Sequence, residues 1–185
     1  MRDTVYLRRA AVALISGVFS GIISAAVSET GISENYGAWF MSFYECTETE
    51  IWIKAAYSAP FFAAAIFIAG LFIFGYIFAY PIIFYYGYTF GFLATCTVTC
   101  FGTSALPEIV FRLPTMAVTS WILCRSSALS VKFSAEAFSG LEFYELRAKT
   151  SKFLWNGLGN VLLSVFPMFY EAILLQKILN LWDSF

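Results

Sequence analysis

Histidine is missing altogether from the 185 residues. That removes the commonest metal ligand and the commonest general base at neutral pH. Charge is scarce as well: 12% of residues carry it, against about 25% in an ordinary soluble domain. A net charge of −1 gives no basic field of the kind that draws nucleic acid. The four cysteines contain no CxxC pair, and only Cys46 falls in a stretch where an oxidant could reach it. Cys96 and Cys100 stand one helical turn apart, but without histidine or a nearby acid they read as small packing residues. No nucleophile with its base and no cofactor motif stands out. The chain is therefore expected to be no enzyme, and to use no metal and no cofactor.

What fills the space instead is apolar. Sixty per cent of residues are hydrophobic and 20% aromatic, too little polar surface to coat a globule in water. The pattern predicts an all-α, polytopic membrane helix bundle forming a single domain over residues 1–185. Roughly 20 apolar residues cross the hydrocarbon core as a helix, which sets about five spans at 10–28, 55–78, 81–102, 106–124 and 153–175. The first follows Arg2, Arg8 and Arg9 and ends in Ser24, Ala25 and Ala26, so a cleaved signal peptide is its rival reading. Residues 55 to 101 carry no charge and are expected to fold as two helices joined by a tight turn near Ala79 to Pro81.

Lysine and arginine set the orientation. With the N-terminus cytoplasmic and the C-terminus outside, Arg2, Arg8, Arg9, Arg125, Lys132, Arg147, Lys149 and Lys152 lie within, and Lys54, Arg112 and Lys177 without. The connection from Glu29 to Glu50 then faces outward and is acidic. Between the fourth and fifth spans, Leu129, Phe133, Ala137, Leu141, Tyr144 and Ala148 recur at helical spacing. Segment 129–149 thus predicts a cytoplasmic amphipathic helix resting on the bilayer, or a docking surface, with a Glu145–Lys149 pair on its surface.

Two glycine pairs, Gly17 with Gly21 and Gly87 with Gly91, each place glycines four apart on one helix face. Such faces let helix backbones approach in lipid, either within the bundle or against another subunit as in a homo-oligomer. Glu171, in the last span, is an expensive group to bury and reads as a structural ion pair or interfacial carboxylate. The decapeptide "ALPEIVFRLP" (105–114) interrupts the apolar sequence with Pro107, Glu108, Arg112 and Pro114. Proline removes a backbone donor and disfavours helix at the preceding residue. The two prolines are therefore expected to bracket a short broken helix from 108 to 113, with Glu108 and Arg112 neutralising each other one turn apart. An interfacial loop is the plainer reading.

Gly87, Gly91 and Phe92, followed by Leu106, Pro107 and, seven residues later, Pro114, resemble the core of the stage II sporulation protein M family. The C-terminal "FYEAILLQKIL" (169–179), with Glu171 at an acidic position, is also similar to that family. The chain departs from many relatives in having Glu108, Ile109 and Arg112 where they carry a His-Gly and an acid. The resemblance implies a non-catalytic membrane anchor of the engulfment complex in the cell membrane. Its partners would be the peptidoglycan-degrading stage II sporulation proteins D and P. A permease-type subunit working with a transport ATPase is the alternative, with Glu108, Arg112 and Glu171 lining its path.

Overall fold

The structure is a computed structural model that describes residues 2–27, 59–72, 74–102, 106–138 and 143–182. The acidic connection from Glu29 to Glu50, Cys46 and Lys54 lie outside the described residues. Within them every regular element is helical: α1 (Arg2–Val27), α2 (Ala59–Leu71), α3 (Gly75–Phe101), α4 (Leu106–Phe138), α5 (Phe143–Leu163) and α6 (Val165–Trp182). Among the described residues two stretches are long and apolar enough to cross a membrane, Thr4–Val27 and Ile77–Cys100, each of 24 residues. They correspond to the first and third of the five expected spans.

Helix α1 runs alongside α3 in the same direction. Gly17 meets Phe84, Gly21 meets Tyr88, and Ala25 packs near Cys96, so both helices advance together along the contact. Helix α2 returns antiparallel to α3, with Phe62 against Tyr86 at 5.2 Å between ring centroids. A common core at the junction of α1 to α4 consists of Ala10, Ala63, Ile66, Ile83, Leu123 and Cys124.

The chain reverses between the end of α2 at Leu71 and the start of α3 at Gly75, not near Ala79 to Pro81. The Phe72 N–H donates to the Ala69 carbonyl (3.1 Å) and the Gly75 N–H to the Phe72 carbonyl (2.9 Å). Gly75 lies so close over the Ala69 carbonyl oxygen that any Cβ would overlap it. Pro81 sits inside α3, where its ring costs one backbone bond without ending the helix.

The decapeptide is corrected too. Leu106 opens α4, Pro107 occupies its first turn, and Pro114 lies inside one helix that continues to Phe138. A first-turn N–H has no intrahelical partner to lose, so Pro107 fits there freely. Pro114 forfeits only its own bond. The Thr115 hydroxyl donates to the Arg112 carbonyl at 2.7 Å beside that gap. There is no bracketed half-helix.

Segment 129–149 is not one helix on a bilayer surface. It is divided between the end of α4 and the start of α5, and its α4 part packs against protein, with Ser130, Val131 and Ser134 buried. The fifth expected span, 153–175, is interrupted at Ser164, which separates α5 from α6. There the Ser164 N–H donates to the carbonyls of Asn160 (3.0 Å) and Val161 (3.2 Å), and its hydroxyl donates to Val161 at 2.6 Å. Pro167 has no N–H for the Leu163 carbonyl, so one bond of a continuous helix is missing there.

Candidate functional site

The two glycine pairs find each other. A Cβ at Gly17 would overlap the Phe84 carbonyl oxygen, and one at Gly21 the Tyr88 carbonyl oxygen. Reciprocally, a Cβ at Gly87 would overlap the Leu14 carbonyl oxygen, and one at Gly91 that of Val18. All four glycines are buried. The backbones of α1 and α3 are thus in direct contact over two helical turns, an approach that only glycine permits. Phe92 stacks on Tyr88 at 6.0 Å and 20° beside this contact and packs near Cys96. Cys96 and Cys100 take part in no disulfide among the described residues.

Arg112 and Glu171 come together from different helices. The guanidinium Nη1 stands 3.8 Å from Oε1 of Glu171, with the two side chains 31% and 24% exposed. Arg112 therefore has a tertiary partner on α6; the Glu108 half of the expected local pair, like the Pro107 side chain, lies outside the described residues. Tyr86 of α3 belongs to the same neighbourhood, hydrogen-bonded with Thr119 and within electrostatic reach of Glu171. Pro114 is exposed on α4. Lys149 also has a tertiary partner, Glu136 at 3.3 Å across the α4–α5 connection; the Glu145 side chain lies outside the described residues.

A second packing region escaped the sequence reading. Along α4, Thr115, Thr119, Ser126, Ser127, Ser130 and Ser134 are all buried. The Ser130 hydroxyl donates to the Ile66 carbonyl of α2 at 2.9 Å and lies against Gly70. Phe153 of α5 closes this region from the other side, stacked between Phe133 (4.4 Å, 11°) and Phe67 (5.4 Å, 20°). Gly157 admits the Phe67 ring where a Cβ would collide with it. The signal was present as hydroxyls three and four residues apart, but an apolar-only search passes over it.

Among the described residues no group of three or more His, Cys, Asp or Glu side chains could hold a metal ion. No family model, no curated protein and no solved structure matches the chain.

Proposed function

We propose that this chain is a non-catalytic membrane scaffold with several spans, its N-terminus cytoplasmic and its C-terminus outside. The observation that carries the reading is the four-glycine contact between α1 and α3. Backbone-to-backbone approach is how helices associate in lipid, where apolar side chains gain little from meeting each other. The contact also favours a retained α1 over a cleaved signal peptide, because its removal would bare Gly87 and Gly91. The parallel course of α1 and α3 suits two crossings in the same sense with a return between them.

The specific form we propose is an anchor of the engulfment complex that recruits peptidoglycan-degrading partners resembling stage II sporulation proteins D and P. This rests on the resemblance of Gly87, Gly91, Phe92, Pro107, Pro114 and Glu171 to that family. Affinity capture of the tagged chain from membranes of engulfing cells tests it, with those hydrolases expected in the eluate. The transporter reading draws on the Arg112–Glu171 pair beside Tyr86, since polar groups at membrane depth often line paths. Capture of an ATPase subunit in place of the hydrolases would select that reading.

A further inference from the structure

Three side chains at one level of the bundle are buried with a polar atom that has no hydrogen-bond partner among the described residues. They are Asn160, through its Nδ2, and Ser126 and Ser127, through their hydroxyls. The residues are 3%, 4% and 0% exposed, respectively. Serine in a helix commonly turns its hydroxyl back to a carbonyl of the preceding turn, as Ser164 does to Val161. Ser126 and Ser127 make no such bond among the described residues.

Two contacts set the register between their helices. Phe133 stacks on Phe153 near one end, and Arg112 meets Glu171 near the other. Helix α4 therefore runs antiparallel to α5 and α6, and Asn160 falls level with the Cys124–Ser127 turn. Val161, the next residue, packs against the core cluster that contains Leu123 and Cys124. Asn160 also lies one turn before Ser164, whose N–H its carbonyl accepts.

An orphaned buried polar group costs about 1–3 kcal/mol, and three at one level would be unusual in a native interior. We propose that Asn160, Ser126 and Ser127 form an internal binding site for water. The chemistry narrows the ligand. The amide Nδ2 is a donor and disfavours a metal cation. An anion would need an inward-facing positive charge, and the nearest arginine in sequence, Arg125, is exposed with its guanidinium 5.4 Å from the Trp121 ring centre. A neutral ligand of water's size can accept from the amide and exchange bonds with both hydroxyls, giving it the two to four partners that a buried water needs. Water at this level also lets α5 and α6 flex at Ser164 without stranding donors.

The test uses the full chain in lipid nanodiscs, with Asn35, Asn156 and Asn180 replaced by glutamine so that Asn160 is the sole asparagine. Water-edited solid-state NMR on protein labelled with ¹⁵N at asparagine, lysine and glycine then reads proton transfer from water to the Asn160 side-chain amide. The expected result is a build-up as fast as that of the exposed Lys152 ammonium, slowed several-fold by Ser126→Ala with Ser127→Ala. Build-up only at the long mixing times of the Gly17 and Gly21 backbone amides would overturn the proposal. So would a fast build-up unchanged by the two serine substitutions, since the water would then belong elsewhere.

Discussion

The α1–α3 contact and the α2–α4–α5 contact solve the same packing problem by different means. In the first, four glycines bring two backbones together, with no side chain between them that could yield. In the second, the approach is made by side chains: a serine hydroxyl on the Ile66 carbonyl, and Phe153 between two aromatic rings. A backbone contact fails as a unit because a carbonyl cannot move without its helix. A side-chain contact can give way by rotation, so its losses should be graded.

Added bulk on the glycine face should have the largest effect. Gly91→Leu, or Gly17→Leu, drives a side chain into the opposing carbonyl and should separate α1 from α3, with loss of most folded protein in detergent. Even Gly17→Ala should exceed the usual overpacking cost of about 1–3 kcal/mol. Gly159→Ala is the control: no atom lies within 4 Å of its Cβ position, and it should leave the melting temperature unchanged or slightly raised. Equal losses at Gly17 and Gly159 would show that helix propensity, not contact, governs both.

Phe153→Ala comes next. It removes both stacks of a residue that is 3% exposed, and large aromatic deletions in cores cost about 3–5 kcal/mol. Thermal unfolding should show a large but cooperative shift, with Phe153→Leu retaining much of the stability.

Ser130→Ala should cost less, on the order of 0.6–1.7 kcal/mol for one helix–helix hydrogen bond. Ser130→Val should cost more than alanine, because the added methyls meet Gly70. Equal costs would mean that the serine is there for its bond alone.

The smallest effect belongs to the ion pair. Arg112 and Glu171 are partly exposed and 3.8 Å apart, so Arg112→Ala should lower stability by about 0–1 kcal/mol. A double-mutant cycle should find coupling of Arg112 with Glu171. Coupling of Arg112 with Glu108 alone would restore the local pair that the spacing suggests.

Much of the architecture was legible in the chain. Helical class followed from long uncharged stretches, and each glycine pair announced a close-packed face. Which faces meet was not legible, because a spacing of four describes one helix and says nothing of its neighbour. The prolines misled for a related reason. Pro81 and Pro114 look like breaks in isolation, yet a packed helix absorbs the loss of one bond at each. The true reversal, between Leu71 and Gly75, was marked by Gly75, whose role depends on the Ala69 carbonyl that presses against it. Lys149 shows the same limit. A local partner sits one turn away in sequence, but the fold brings Glu136 to it. Asn160 carried no signal at all, since one polar residue in an apolar helix reveals neither its burial nor its partners.

The central claim, that α1 stays in the protein and is bound face to face with α3, is tested most directly by a disulfide. Ala25 packs near Cys96, so Ala25→Cys should cross-link to it under mild oxidant. Cys46, Cys100 and Cys124 are replaced by serine, and a protease site is placed at Gly37. After cleavage, the account predicts that the α1 fragment stays joined to the remainder on a non-reducing gel and is released by reductant. Val12→Cys, on the 65% exposed outer side of α1, should give no such link. Release of the α1 fragment without reductant, or a mature protein that begins beyond Val27, would contradict it.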